Sequence, residues 1–318
     1  MKQPIPSPPR LSRRRALALG WKSGLVTVTA VAIHPRPASS SAAAGDRPGT
    51  WPEFSFLVVS DTHLGRNDTV AAEKQWEKTA AELARAEGDF ILHLGDVVDG
   101  RREAQYPHYR RIRDTIGKPV FEIPGNHDPE TAFETHLGLA SADRSFAHGG
   151  VRFVLFNNSR PDSHEGFVTA DQLAWLETEC GAAAEKDEWL VFAAHVPFHT
   201  NKPPDRAWYV KPENGQTAFY ELVERHRARC LAMFHGHFHN GVRGWDDRAP
   251  LHEVLFPSAL YNQDRGLAAK KAPGYNLPEF RPAHTSATFA GGSLTLTVRP
   301  TGETGVEGTE KRLPYSAG

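Results

Sequence analysis

Seven residues of the chain carry donor atoms of the kind that hold hard metal ions: Asp61, His63, Asp96, Asn126, His195, His237 and His239. Carboxylate, carboxamide oxygen and imidazole are ligands that Fe, Mn and Zn accept. One carboxylate can serve two cations, because it offers two oxygens. Two cations held side by side can clamp a phosphate and activate a water molecule. The set therefore predicts a two-metal site, provided the fold gathers residues that lie between positions 61 and 239.

The elements needed for that gathering are legible. Each donor block follows a short apolar run, at 54–59, 90–94, 120–123, 190–194 and 231–234. The runs are continuous Val, Ile, Leu and Phe rather than alternating, which fits sheets covered on both faces. A further strand is predicted at 151–156. Helical periodicity marks 69–86, with Trp76, Ala80, Leu83 and Ala84 on one side, and 106–116, 169–180 and 217–227. Thr169 is the expected N-cap of its helix. The C-terminal third turns β-rich at 253–256, 286–289 and 293–298, the last two joined by Ala290-Gly291-Gly292. Two sheets packed face to face with helices outside satisfy the whole pattern.

Five blocks in this order resemble the calcineurin-like metallophosphoesterase superfamily: Asp61-Thr62-His63, Gly95-Asp96-Val97-Val98-Asp99, Gly125-Asn126-His127-Asp128, His195, and Gly236-His237-Phe238-His239. The resemblance implies an α/β fold, a four-layer α/β/β/α sandwich of two mixed sheets flanked by helices. It implies that Asp61, His63, Asp96 and His239 hold one metal. Asp96, Asn126, His195 and His237 would hold the other, with Asp96 bridging. The expected cofactors are two divalent or trivalent ions, Fe, Mn or Zn. A metal-bridging hydroxide would attack phosphorus, and His127 would bind the phosphate or protonate the leaving group, a task that suits an imidazole near neutral pH. Asp99 and Asp128 are either supports for these residues or loop caps.

The branch can be narrowed. Purple acid phosphatases have glycine at the position of His63 and a metal-bound tyrosine at the position of Asp99, so this chain departs from them. Glu165-Gly166-Phe167-Val168-Thr169, with Gln172, Trp175 and Leu176, resembles the linker of cyclic-nucleotide-phosphodiesterase-like members. The expected activity is hydrolysis of a small phosphodiester, nucleotide-like or phospholipid-derived. The alternatives are a phosphomonoesterase and, from another class, a binding scaffold without metals. The loops at 201–215 and 264–282 are expected to select the leaving group.

Other histidines have blander expectations. His93 and His235 lie within strands and read as packed core residues, and His148 and His164 have no motif around them. His199 is a candidate for substrate contact. Arg66 and Asn67 read as surface loop, and the run Arg110-Arg111-Ile112-Arg113 as a solvated helix face.

Composition bounds the rest. The chain has 318 residues, 39% hydrophobic and 24% charged, ordinary for a soluble globular protein. Residues 1–44 hold seven Lys or Arg and no acid; without them 30 cations face 38 acids, a balance of −8. A nucleic-acid polymer is therefore not an expected partner. The basic segment, with Arg13-Arg14, an apolar stretch and Ala42-Ala43-Ala44, resembles a twin-arginine signal. It predicts passage through the export machinery to a periplasmic or extracellular site. A linker is expected at 45–52, the enzyme domain at 53–300 and a flexible tail at 301–318. Cys180 and Cys230 are too few for a disulfide framework.

Overall fold

The computed structural model describes residues 47–199, 207–240, 247–248, 252–262, 281–302 and 309–315. The expected signal segment and most of the 264–282 loop lie outside the described residues. Among the described residues, twelve strands form two six-stranded sheets. The first sheet contains β1 (Phe54–Val59), β2 (Ile91–His93), β3 (Val120–Glu122), β10 (Ala283–Ala290), β11 (Ser293–Pro300) and β12 (Thr309–Pro314), in the order β12-β11-β10-β1-β2-β3. The second contains β4 (Arg144–His148), β5 (Val151–Leu155), β6 (Trp189–Ala193), β7 (Cys230–His235), β8 (Asp247–Arg248) and β9 (Glu253–Leu255), in the order β4-β5-β6-β7-β9-β8. The first sheet is antiparallel from β12 to β1 and parallel from β1 to β3, and the second is parallel from β5 through β9 with an antiparallel strand at each edge.

Strand alternation explains the continuous apolar runs. Phe56 and Val58 face the second sheet, where they meet Phe153, Leu155, Val191 and Phe234 in the central core. Their neighbours Leu57 and Val59 face outward and pack under α1 (Thr69–Arg85), α2 (Tyr106–Arg113) and α3 (Glu130–Leu137), against Trp76, Tyr109 and Phe133. On the second sheet Val154, Leu190 and Phe192 pack likewise under α4 (Ala170–Glu185) and α5 (Gln216–Arg225). A strand buried on both faces needs apolar residues at every position. The layers are thus helix, sheet, sheet, helix, as the resemblance implied. Thr169 caps α4 in a capping box with Gln172.

Four elements were not foreseen: α3, β4, β8 and β12. β12 corrects the expectation of a flexible tail, because it pairs with β11 from Ser293↔Pro314 to Val298↔Thr309 and buries Leu313. The expected linker is also anchored over its described part. Trp51 packs edge-on to Trp189 at 5.2 Å, and Trp189 Nε1 donates to the Thr50 carbonyl at 2.7 Å. Both cysteines are free thiols, Cys180 buried and Cys230 half-buried. No helix among the described residues is long and apolar enough to cross a membrane.

Candidate metal centre

All seven donor residues converge at the C-terminal ends of β1, β2, β3, β6 and β7, each within four residues of its strand. Turns there are tight. Asp61, His63, Asp96, His237 and His239 all have positive φ, between 43° and 76°. Such left-handed backbone is costly for residues with a Cβ and persists only where the surroundings enforce it. Backbone bonds supply the enforcement. Asp61 N donates to Gly95 O, His63 N to Asp96 O and Gly236 N to His195 O, at 2.9 to 3.1 Å. Two motif glycines serve close approach instead. A Cβ on Gly125 would collide with the Asp96 carboxylate, and one on Gly236 with Ser60 and Asp61.

Ligand atoms of Asp61, His63, Asp96 and His239 lie within 4.8 Å of one another, and so do those of Asp96, His195 and His237. Asp96 belongs to both groups. Each histidine fixes one ring nitrogen on an acceptor and turns the other inward. His63 Nδ1 is 3.0 Å from Asp99 Oδ1, His195 Nδ1 2.6 Å from the Leu94 carbonyl, and His239 Nδ1 3.0 Å from the Tyr261 carbonyl. His237 is reversed, with Nε2 3.0 Å from the His164 carbonyl. Anchors of this kind select the tautomer that leaves a lone pair for a metal.

The inward nitrogens meet in pairs. His63 Nε2 lies 3.0 Å from His239 Nε2, and His195 Nε2 lies 3.2 Å from His237 Nδ1. His63 Nε2 is also 3.4 Å, and His195 Nε2 3.3 Å, from Asp96 Oδ2. Two lone pairs at that separation repel unless a positive charge sits with them. The titration pattern says the same. Burial opposes charge on His63, but Asp96, Asp61 and Asp99 override it and hold it at about 10. His239 is lowered by burial. On the other side His195 reaches about 9, against burial and through Asp96, while burial and the His195 charge hold His237 well below its usual range. Burial would raise Asp61 and Asp96, yet the surrounding histidines hold both low. Each pair thus claims one cation. Asn126 adds a buried Oδ1 with no hydrogen-bond partner. The donor set fits two metal ions.

His127 stands at the rim, half-buried, with Nδ1 between two partners. The Gly100 backbone N–H donates to it at 3.0 Å, and Asp99 Oδ1 lies 3.3 Å away. Asp99 also binds Arg66 Nη1 at 2.9 Å, so its support role is real. Burial would raise the Asp99 carboxyl, but His127 and His63 hold it below its usual range through their hydrogen bonds and charge. Asp128 does not touch His127 through its side chain. It accepts from Val97 N, Val98 N, Gly125 N and Tyr106 Oη, at 2.9 to 3.0 Å, and clamps the loops of Asp96 and Asn126 together.

A cavity of about 340 Å³ opens over the ligands, walled also by Arg66, His127, His164, Trp208 and Tyr261. The last three and Arg66 correct the sequence reading. His164 stacks on Trp208 at 4.1 Å, and the Arg66 guanidinium sits 4.6 Å over the Tyr261 ring. Trp208 and Tyr261 arrive on long loops with no motif of their own. His199 is the reverse case. It is buried against Glu253 Oε1 at 2.9 Å and does not line the cavity. His93 and His235 are packed, as expected: His93 Nε2 meets Thr62 Oγ1 and His235 Nδ1 the Ala194 carbonyl. Arg111 lies on the exposed face of α2 and pairs with Glu73 and Glu77.

Residues 54–241 match the family described as calcineurin-like phosphoesterase. A 3′,5′-cyclic-nucleotide phosphodiesterase of a Nostoc strain is 29% identical over 279 residues, covering 83% of this chain and 94% of the relative. The Escherichia coli 3′,5′-cyclic adenosine monophosphate phosphodiesterase is 27% identical over 44% of this chain and 54% of its own. A glycerophosphodiester phosphodiesterase of Enterobacter lignolyticus is 28% identical over 49% of this chain and 58% of its own. A dimetal phosphatase from Danio rerio shares the fold, with a TM-score of 0.62 at 15% identity over 83% of this chain and all of that one.

Proposed function

Because the chain belongs to the calcineurin-like phosphoesterase family, we propose that it hydrolyses a small phosphodiester with the help of two metal ions. The observation that carries this reading is the pair of facing nitrogen contacts, 3.0 and 3.2 Å, on either side of Asp96. Asp61, His63, Asp96 and His239 would hold one ion, and Asp96, Asn126, His195 and His237 the other. Ions so held neutralise phosphate charge and make water acidic enough to react near neutrality.

The chain's own residues supply the rest. Asp99 and the Gly100 N–H together fix His127. When the ring is neutral, Gly100 donates to Nδ1 and the ring proton lies on Nε2. When it is protonated, Nδ1–H turns to Asp99. In both forms Nε2–H can hydrogen-bond a phosphate oxygen, and the protonated ring can pass that proton to a leaving alcohol. Arg66, held by Asp99 and Tyr261, adds a fixed positive charge to the cavity wall. The named activities of the relatives support a diester over a monoester.

The test is a rate panel on metal-loaded protein: 3′,5′-cyclic AMP, a glycerophosphodiester, bis(4-nitrophenyl) phosphate and 4-nitrophenyl phosphate. A higher kcat/KM on diesters is expected. A higher value on the monoester replaces this reading with a phosphomonoesterase, and no turnover with two metals bound replaces it with a binding scaffold. We also propose that the Arg13-Arg14 segment carries the enzyme out of the cytoplasm. Lysine at both positions should hold the protein inside the cell; unchanged export overturns that part.

A further inference from the structure

The cavity over the ligands does not end at His127. A second pocket of about 250 Å³ lies on the other side of that ring, between Gly100-Arg101 and the turn from Pro161 to His164. The two share Asn126, His127 and His164 as a common rim. The second pocket is a built feature. Ser163 N donates to Arg160 O at 3.1 Å and closes the turn, and Glu165 N donates to Ser163 Oγ at 2.9 Å. Arg101 Nη2 bonds the Pro161 carbonyl across the gap, and Arg101 N donates to the His127 carbonyl at 3.1 Å. Arg160 is itself held 3.9 Å over the Phe167 ring.

The walls differ in chemistry. Over the ligands, the His164 imidazole lies 21° from parallel to the Trp208 indole, and Trp208 in turn lies 5.6 Å from the His237 ring. That wall suits a flat, apolar group. Beyond His127 the wall adds Gly100, Arg101, Pro161, Asp162 and Ser163, none of which carries an aromatic ring, which suits a small leaving alcohol. From this division we infer that the substrate is a diester with two separate arms, which rests on the phosphodiesterase reading above. The retained arm lies along Trp208, and the leaving alcohol enters the pocket between Gly100 and Ser163. His127 stands where the two meet, within reach of the oxygen that must depart. The oxygen of water bonds to phosphorus and the P–O bond to the leaving alcohol breaks. That alkoxide takes a proton from His127 Nε2, and the surplus proton of water passes to solvent.

The two arms can be varied one at a time. Bis(4-nitrophenyl) phosphate and methyl 4-nitrophenyl phosphate share a leaving group and differ in the retained arm. The parent is expected to prefer the aryl arm by about three- to tenfold in kcat/KM. Trp208→Ala should bring that ratio close to one. Ser163→Trp, which fills the outer pocket, should lower both rates together and leave the ratio as in the parent. Asp162→Trp fills the same space and replaces it if Ser163→Trp unfolds. A non-hydrolysable aryl phosphonate should quench tryptophan fluorescence in the parent but not in Trp208→Phe. If Ser163→Trp alters the ratio and Trp208→Ala does not, the arms are reversed and the inference falls. If neither alters it, there are no separate subsites. A parent with no turnover on either ester would instead remove the phosphodiesterase reading itself.

Discussion

His63 Nε2 and His239 Nε2 face each other across 3.0 Å, with their opposite ring nitrogens bound to Asp99 and to the Tyr261 carbonyl. Neither ring can turn away without losing its anchor. A positive charge between the two nitrogens, a proton or a metal ion, relieves the repulsion of their lone pairs. Elemental analysis of purified protein should therefore find close to two metals per chain. Asp96→Ala should lose both, because that carboxylate serves both groups. Removing metal from the parent should also lower Tm, since a ligand that binds only the folded state stabilises it, by about 2.7 kcal/mol at a hundredfold excess over Kd. Full occupancy in Asp96→Ala, or a Tm indifferent to chelation, contradicts the assignment.

Asn126 and His127 are neighbours with opposite duties. Asn126→Ala should weaken metal occupancy, because it removes the buried Oδ1. His127→Ala should keep both metals and lose activity by about 10²–10⁴-fold on an alkyl ester, the range of general acid catalysis. On an activated nitrophenyl ester the loss should be far smaller. Equal losses on both esters would leave His127 with phosphate binding alone.

Backbone strain predicts an unusual ranking. His239 sits at φ 53°, a region glycine enters without penalty. Measured without metal, His239→Gly should be more stable than His239→Ala by about 1 kcal/mol, whereas on an ordinary extended residue alanine is the better choice. Denaturant midpoints of the two metal-free variants decide it. A more stable alanine variant would mean that the turn relaxes when its ligand is lost.

His284 links stability to pH from outside the site. It is buried at the edge of β10, where burial and then Arg299 lower it from 6.5 to about 4. Glu82 Oε2, 3.6 Å away, is the one carboxylate near it among the described ion pairs. The folded state holds the neutral ring, so the stabilisation is full above about pH 6.5 and is lost as pH falls toward 4. The loss should reach about 3 kcal/mol. His284→Gln should flatten that part of the Tm-against-pH curve. A parallel curve for parent and variant would show that the ring titrates normally.

The ligands were legible because each lies a few residues past a strand whose apolar run is continuous. Asp61 and Asp96 are separated by 35 positions in sequence, yet β1 and β2 are adjacent and parallel, so their ends coincide. Trp208, His164 and Tyr261 had no such guide. They sit on loops whose path depends on what they pack against, and stacking such as that of His164 on Trp208 has no sequence period. α3 was hidden because only Phe133 of its eight residues is buried, too few to mark a face. β12 was hidden by a different cause. It is an edge strand with charges at Glu310, Lys311 and Arg312, a composition that protects an edge and reads as a polar tail. His199 stands four residues past a donor block in sequence, yet Glu253 draws it into the protein and away from the cavity.

Asp128 has a consequence beyond holding a turn. One carboxylate joins the Asp96 loop, the Asn126 loop and the Tyr106 hydroxyl at the start of α2. Burial first and the Asp96 charge second raise its carboxyl above the usual range, to about 6. It acts as a rivet through three plates. A push on the outer surface of α2 is carried through Tyr106 to the very turn that presents Asp96, without passing through the sheet. The floor of the centre and the helix above it therefore shift as one piece, while the turns bearing His195 and His237, on the opposite sheet, lie outside that joint.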